Sequence, residues 1–175
     1  QTVDLFDTIE FSESDDVIVT CDDEEITPEI NLASKAVSVL QRKVGISTGA
    51  TISIKKKIPV SAGLGGGSTD AAAVLRGLSK LWKLDLSLDE LTEIGAEIGS
   101  DVPFLVRGGT SLVQGRGEVV TPITPAEEPK FMILTPVVDL KNPSAYTESV
   151  FSHLNEFMFT SGNLTLNIAV RLRSG

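Results

Sequence analysis

The stretch Pro59-Val-Ser-Ala-Gly-Leu-Gly-Gly-Gly-Ser-Thr-Asp-Ala-Ala-Ala73 decides how this chain folds. A short alternation of apolar and polar residues at 50–54 precedes it and indicates a strand, whereas apolar residues at helical spacing follow it. The order is therefore strand, glycine-rich loop, helix. Glycine reaches positive φ easily, so successive N–H groups can point into one concavity at the helix N-terminus. Because a helix N-terminus favours an anion, we predict that the loop binds phosphate.

Two other glycine loops are excluded by the residues present. A Walker A loop needs a lysine directly before its Ser or Thr, and Gly67 stands there. The dinucleotide fingerprint needs a third glycine where this chain has Ser68. Ser68 and Thr69 are predicted at the helix cap, from where their hydroxyls would reach a phosphate or its metal ion. A tight strand-to-helix turn without a ligand is the structural alternative.

Composition limits the partners of the chain. Its 175 residues are 41% hydrophobic, which is enough for a core and for one domain or a little more. The net charge of −9 argues against a nucleic acid and against an anionic membrane surface as partner. The basic run at residues 55–57 is a local exception. It would guide a polyphosphate to the loop, or it merely keeps a strand edge soluble.

Cysteine and histidine usage is sparse. Cys21 is the one cysteine, so no intramolecular disulfide can form and a reducing compartment is expected. With His153 as the one histidine, we predict no zinc site and assign no metal-ligating residue. No apolar run approaches the roughly 20 residues that span a bilayer, and no signal peptide is recognisable.

Hydrophobic periodicity predicts the elements before the loop. Residues 3–11 alternate imperfectly and indicate a strand, and residues 17–21 indicate its hairpin partner. A helix is predicted to begin at Asn31 and to stop at Gly45. These elements precede the strand that leads into the glycine loop.

The loop is followed by two predicted helices. The first begins at Ser68 and ends near Leu84. The second begins at a capping box formed by Ser87 and Glu90 and ends at Gly99.

The remaining chain returns to strands and then to helices. Strands at residues 110–113 and 118–121 indicate a hairpin, a further strand is predicted from Phe131, and helices are predicted from Ser144 and Leu164. This order predicts an α+β fold, with a mixed sheet and helices on one side.

Asp101 is the best candidate for proton transfer. It follows the predicted helix stop and lies in the sequence Ile-Gly-Ser-Asp-Val-Pro-Phe at residues 98–104. Phosphoryl transfer to an alcohol often uses a carboxylate that accepts the proton of the hydroxyl. The alternative is that Asp101 caps a short helical turn at residues 102–104.

The loop pattern resembles the ATP loop of the GHMP kinases. Together with residues 98–104 and the sequence Gly-Arg-Gly-Glu at 115–118, it is most similar to one branch of that superfamily, the 4-diphosphocytidyl-2-C-methyl-D-erythritol kinases. The similarity covers most of residues 1–150. It implies a ribosomal-protein-S5-like GHMP kinase N-terminal domain at 1–125, without its first strand. It also implies that residues 126–175 begin a truncated, ferredoxin-like C-terminal domain.

The resemblance also implies an activity and its cofactors, ATP and Mg2+. The γ-phosphate would pass to the 2-hydroxyl of 4-diphosphocytidyl-2-C-methyl-D-erythritol, in non-mevalonate isoprenoid biosynthesis. Asp101 would be the catalytic base and contact the substrate, Ser144 would be a further substrate contact, and Asn31 and Lys56 would lie near the adenine pocket. The loop residues implied to bind the nucleotide are Pro59, Val60, Ser61, Ala62, Gly63, Leu64, Gly65, Gly66, Gly67, Ser68 and Thr69. The location would be cytoplasmic, or the plastid stroma in a plant or alga.

Some family motifs are missing from this sequence. The family opens with a Lys-x-Asn-Leu strand, whose lysine pairs with the catalytic aspartate, and a Gly-Tyr-His motif follows; neither occurs here. A later glycine-rich motif is also missing, so we interpret the chain as an internal fragment that is expected to be inactive alone. The alternatives are a homoserine or mevalonate type of GHMP kinase, and a noncatalytic nucleotide-binding module. The third glycine and the 98–104 sequence speak against the sister kinases, and the sequence predicts no oligomeric state.

Overall fold

The structure is a computed structural model, and it describes residues 1–124, 130–134 and 151–174. Within these ranges the chain is a mixed α+β fold, as predicted. In chain order the elements are β1 (Thr8–Glu13), β2 (Val17–Cys21), α1 (Leu32–Val44), β3 (Ala50–Lys55), α2 (Gly66–Leu81), α3 (Leu88–Ala96), α4 (Val102–Arg107), β4 (Thr110–Gln114), β5 (Val119–Ile123), a 3-10 turn (Glu156–Met158) and α5 (Asn163–Ser174).

The strand that leads into the loop, β3, is the middle strand of its sheet. The strand order is β1-β3-β2, with β1 antiparallel and β2 parallel to β3. The predicted hairpin between the first two strands is therefore wrong, and β1 begins at Thr8. The reason lies at Gly49, where a Cβ would stand 2.5 Å from the carbonyl oxygens of Ser14 and Asp15. Because position 49 carries no side chain, the β1–β2 connection can cross over the start of β3.

One face of β3 builds the core. Ala50, Ile52 and Ile54 alternate along the strand and are all buried. Helices α1 and α2 contribute the buried residues of the same core cluster, with Leu40 and Leu75 among the largest. The helix that follows the glycine loop is therefore anchored in the core of the molecule.

Helix α1 has the ends that the sequence predicts. Asn31 is its N-cap, and its side-chain oxygen accepts a hydrogen bond from the Ala33 N–H at 2.9 Å. Gly45 ends the helix with φ of 71°, and its N–H donates to the Gln41 carbonyl. Both boundaries are confirmed.

Helix α2 begins earlier than predicted. Its N-cap is Gly65, with φ of 71° and no side-chain capping bond. Ser68 and Thr69 therefore lie inside the first turn rather than at the cap, and the Thr69 hydroxyl donates to the Gly65 carbonyl at 2.9 Å. The glycine run extends into the helix, which ends at Leu81, short of the predicted Leu84.

The capping box at α3 and the β4–β5 hairpin are both confirmed. The Ser87 hydroxyl accepts from the Glu90 N–H at 3.2 Å, and a Glu90 carboxylate oxygen accepts from the Ser87 N–H at 2.8 Å. The helix ends at Ala96 rather than Gly99. Strands β4 and β5 pair antiparallel, with Leu112 opposite Thr121.

The C-terminal predictions have mixed outcomes. Residues 131–134 have no regular secondary structure, so the strand predicted from Phe131 is not formed there. The helix predicted from Leu164 is confirmed as α5. The helix predicted from Ser144, and Ser144 itself, lie outside the described residues. No helix in the described ranges is both long and apolar enough to cross a membrane.

Candidate active site

A cleft of about 610 Å³ runs along the glycine loop, and we call it the loop cleft. It brings together the end of β3, the loop and the first residues of α1 and α2. All but one of the residues that the sequence predicted for the nucleotide line this cleft, namely Asn31, Lys56 and the ten loop residues 59–68. The exception is Thr69, which lines the neighbouring cleft described below.

The loop cleft has the electrostatics of an anion site on its loop side. Helices α1 and α2 both begin there, and the first N–H groups of a helix have no intrahelical partner. Gly63 and Gly65 adopt φ of 73° and 71°, a conformation that side chains disfavour. These features favour a phosphate group against the loop.

Lys56 lies beneath the loop as the centre of an ion triad with Asp7 and Asp70. Its Nζ lies 2.5 Å from Asp7 Oδ2 and 2.7 Å from Asp70 Oδ2. The side chains are 7%, 2% and 4% exposed for Lys56, Asp7 and Asp70, respectively. A Cβ on Gly66 would stand 3.3 Å from Lys56 Nζ, so the ammonium group touches the first residue of α2. Lys56 is therefore neither a solubilising strand end nor a free cation.

The two neighbours of Lys56 behave differently. Lys55 is exposed and pairs with Glu10 at 3.2 Å, as expected of a strand edge kept soluble. Lys57 is exposed and its Nζ lies 5.6 Å from the centre of the Phe6 ring. Only these two lysines of the basic run present their charge to solvent.

The pKa values of the two carboxylates in the ion triad are shifted in opposite directions. Burial raises the pKa of Asp70 from its ordinary value of 3.8 to about 6, although the bond with Lys56 opposes the shift. Burial also acts to raise the pKa of Asp7, but hydrogen bonds from Lys56 and from the N–H groups of Lys57 and Ile58 outweigh it and lower that pKa. Asp70 Oδ1 is buried and has no hydrogen-bond partner among the described residues. Asp70 is therefore the member of the triad that is protonated first as the pH falls.

Asp101 is an exposed carboxylate at the edge of the loop cleft. It occupies the N-cap position of α4, but its side chain makes no capping hydrogen bond. Within the described ranges, the ion pairs do not include Asp101. A Cβ on Gly65 would stand 3.9 Å from Asp101 Oδ2, so the carboxylate lies beside the backbone of the loop. The Asp101 side chain therefore does not cap α4.

A second cleft, of about 510 Å³, lies on the other side of Asp101. Its walls come from the N-terminal segment, the loop, the start of α4 and β4. The residues that line both clefts are Ile58, Gly63, Leu64, Gly65 and Asp101. Loop residues 63–65 and the Asp101 carboxylate therefore lie between the two clefts. Such an arrangement can hold a phosphorylated ligand and a second reactant on either side of a proton acceptor.

A comparison with protein families assigns this architecture. Residues 31–109, which contain α1, β3, the loop, α2, α3 and α4, match the family described as GHMP kinases N terminal domain. The chain carries a GHMP kinase N-terminal domain. The resemblance inferred from the loop and from residues 98–104 is confirmed.

Two curated relatives of this chain carry the same name. The 4-diphosphocytidyl-2-C-methyl-D-erythritol kinase of Dehalococcoides mccartyi is 41% identical over 165 residues, which are 94% of this chain and 57% of that protein. The protein of the same name from Caldicellulosiruptor saccharolyticus is 50% identical over 149 residues, 83% of this chain and 51% of that protein. The chain therefore spans about half the length of the curated relatives it matches.

Solved structures give the same fold. A crystal structure of 4-(cytidine 5'-diphospho)-2C-methyl-D-erythritol kinase aligns with a TM-score of 0.56 and 32% identity, over 67% of this chain and 42% of that one. Homoserine kinase from Cytophaga hutchinsonii aligns with a TM-score of 0.70 and 17% identity, over 96% of this chain and 59% of that one. The second likeness supports the GHMP kinase fold alone.

The sequence reading missed two residues of this site, Asp7 and Asp70. The spacing carried a signal for Asp70, because positions 70, 74 and 78 lie on one helix face and Val74 and Leu78 are core residues. An acidic residue on such a face needs a buried cation, and Lys56 lies shortly before it in the chain. Asp7 had no comparable signal, since it lies outside regular secondary structure.

Proposed function

We propose that this chain is the ATP-binding part of a small-molecule kinase that phosphorylates the 2-hydroxyl of 4-diphosphocytidyl-2-C-methyl-D-erythritol. The observation that carries the proposal is the position of Asp101, an exposed carboxylate beside Gly65 that lines both clefts. The names of the relatives support this acceptor. These relatives are bacterial, which favours the cytoplasm over a plastid as the location.

ATP would bind in the loop cleft. The glycine loop and the N-terminus of α2 would hold its phosphates, because free N–H groups and the helix dipole both favour negative charge there. Asn31 and Lys56 line the same cleft, and the family resemblance would place them near the adenine. Mg2+ would arrive with the nucleotide, since this ion is commonly held by substrate phosphates together with few protein oxygens.

Asp101 would act on the acceptor rather than on the nucleotide. The acceptor would occupy the second cleft with its hydroxyl beside the carboxylate. As the hydroxyl oxygen bonds to the γ-phosphorus, its proton passes to Asp101 and the bond from phosphorus to the leaving ADP oxygen breaks. A carboxylate that caps no helix and forms no ion pair in the described ranges keeps its lone pairs available for that proton.

The domain division also belongs to this proposal. Residues 1–125 would form the N-terminal kinase domain and residues 126–175 would begin the C-terminal one. Ser144, outside the described residues, would reach the substrate from that second part.

The test measures ADP release from Mg-ATP by the full product of the reading frame that encodes this chain. The cytidyl substrate, homoserine and mevalonate are offered in parallel. We expect turnover with the cytidyl substrate alone, and a loss of roughly 10²-fold or more in Asp101→Asn, as for a missing general base. The nucleotide Kd should stay unchanged.

Asp85→Asn is the matched control for that substitution. Asp85 is exposed, lines neither cleft and has φ of 51°, which asparagine tolerates well. Turnover of homoserine or mevalonate instead would support the proposed kinase activity but contradict the proposed cytidyl acceptor. ATP binding without turnover of any acceptor would leave a nucleotide-binding module.

A further inference from the structure

The turn between β4 and β5 contacts the segment that carries Asp101. Gly117 is the buried residue of this turn, whose other residues, 114–116 and 118, are exposed. Its φ is 124°, and a Cβ there would overlap the Ser100 carbonyl oxygen and stand 2.7 Å from the Ser100 carbonyl carbon. The Gly117 backbone therefore lies directly against the peptide group that joins Ser100 to Asp101.

The turn is held firmly enough to act as a support. The Gly117 N–H donates to the Gln114 carbonyl at 3.2 Å. A Glu118 carboxylate oxygen accepts from the Arg116 N–H at 2.7 Å. The paired strands β4 and β5 hold both ends of the turn. The contact at Gly117 thus comes from an internally bonded hairpin.

The backbone at Asp101 is also supported from within its own segment, where the Val102 N–H donates to the Gly99 carbonyl at 3.3 Å. Ser100 lies between α3 and α4, outside both helices. On the helix side, the Asp101 carbonyl accepts from the Leu105 N–H at 3.1 Å. The carboxylate itself makes no capping bond. Its position between the two clefts is therefore set by the backbone that carries it.

We propose that Gly117 is a positioning residue for the transfer reaction: through Ser100 it sets where the Asp101 carboxylate lies between the two clefts. The inference rests on the function proposed above. A side chain at position 117 displaces Ser100 and carries Asp101 with it. Ser100 and Val113 both line the second cleft, so the same displacement alters the acceptor side. In the loop cleft it moves Asp101 at the edge, whereas the glycine loop stays in place. A displacement of about 1 Å in a catalytic group can lower a rate by 10²-fold.

The experiment compares Gly117→Ala with Gly109→Ala in the full product of the reading frame. Gly109 is a matched control, because its φ is 72° and a Cβ there meets nothing within 4 Å. Both variants carry the backbone strain of alanine at positive φ, and only one overlaps Ser100. The measurements are the Kd of Mg-ATP, kcat, the KM of the acceptor and Tm.

For Gly117→Ala we expect kcat to fall by at least about 10-fold and the acceptor KM to rise, as the displaced Asp101 and Ser100 require. The nucleotide Kd is expected to stay within about 2-fold, because the glycine loop that would hold the phosphates is not displaced and Asp101 would act on the acceptor. Gly109→Ala should lower Tm but leave kcat and KM unchanged. An unchanged kcat in Gly117→Ala, or equal losses in both variants, would overturn the inference.

A second variant keeps the test decisive if Gly117→Ala does not fold. Glu118→Ala removes the bond to the Arg116 N–H without any overlap, and Glu118 is exposed. It is expected to lower kcat about 3-fold with the nucleotide Kd unchanged, because it only loosens the support. An unchanged kcat in that variant rejects the role of the turn. Turnover by the unaltered protein reports on the proposed function separately, and its absence with every acceptor would overturn both proposals.

Discussion

Asp70 and Asp101 line the same cleft and differ in almost every other respect. Asp70 is buried, and its Oδ2 lies 2.7 Å from the Lys56 ammonium. Asp101 is exposed, forms no ion pair in the described ranges and does not cap the helix at whose start it lies. The first carboxylate is committed to structure, because it accepts a hydrogen bond from the buried Lys56 ammonium. The second keeps its lone pairs free for chemistry.

Charge balance explains why the ion triad tolerates some losses and not others. One ammonium faces two carboxylates, so with all three groups ionised the triad carries one net negative charge. Removing Asp70 leaves a balanced pair of Lys56 and Asp7. Removing Lys56 leaves two buried carboxylates that repel each other. A buried charge without a partner is the severe case.

The largest effect is therefore expected for Lys56→Met. It should lower the free energy of unfolding by about 3–5 kcal/mol, the usual range when a buried pair loses one partner. Urea unfolding measures this, with Lys55→Met as the control. Lys55 forms an exposed pair with Glu10, so its loss should change the free energy of unfolding by about 1 kcal/mol or less. Equal effects of the two substitutions would contradict the buried triad.

Asp70→Asn should change how stability depends on pH. The folded protein holds the Asp70 proton up to about pH 6, whereas the unfolded chain releases it near the ordinary pKa of 3.8. The folded state thus binds more protons between these values, so ionisation of Asp70 destabilises the fold as the pH rises from 4 to 6. The shift of about two pKa units corresponds to roughly 2–3 kcal/mol at about 1.4 kcal/mol per unit.

The Asp70→Asn variant has no ionisable group at position 70, so it does not lose this stability between pH 4 and pH 6. Relative to the unaltered chain, its free energy of unfolding should therefore increase between pH 4 and pH 6 and stay level above. Denaturant unfolding at pH 4, 5, 6 and 7.5 measures the difference. A difference that does not vary with pH would show that Asp70 keeps an ordinary pKa in the folded state.

The smallest effect on stability is expected for Asp101→Asn. An exposed side chain that makes no capping bond and has no ion pair among the described residues should change the free energy of unfolding by no more than about 0.5 kcal/mol. This substitution should nevertheless affect turnover most. Urea unfolding measures this change. A larger loss of unfolding free energy would mean that the Asp101 carboxylate supports the fold, and it would contradict the contrast with Asp70.

Much of this molecule could be predicted from its sequence because the signals are local. The ends of α1 follow from Asn31 and Gly45, and the start of α3 follows from the capping box. The glycine loop and Asp101 were each recognisable from neighbouring residues, and the fold brings them together. A cap or a turn depends on residues a few positions apart, which a sequence displays directly.

The features that could not be predicted depend on distant residues. The alternation of β1 and β2 fits a hairpin as well as it fits two strands separated by β3, because side-chain alternation does not name the partner strand. The sequence left open whether Lys56 serves the nucleotide site or keeps a strand edge soluble, because it does not show that Asp7 and Asp70 contact this lysine. The start of α2 was placed too late because glycine is a poor helix former, and here Gly66 and Gly67 are already helical.

The crossing at Gly49 has a consequence for how the chain is made. Strands β1 and β2 are synthesised before β3, yet both pair with it, and Thr8 lies opposite Lys55. Until β3 has left the ribosome, neither strand has the partner it uses in the finished sheet. Sheets that depend on such distant pairings form slowly, because the intervening chain must first be brought together. The glycine loop follows β3 directly. We therefore expect the loop to become ordered only after β3 has paired with β1 and β2.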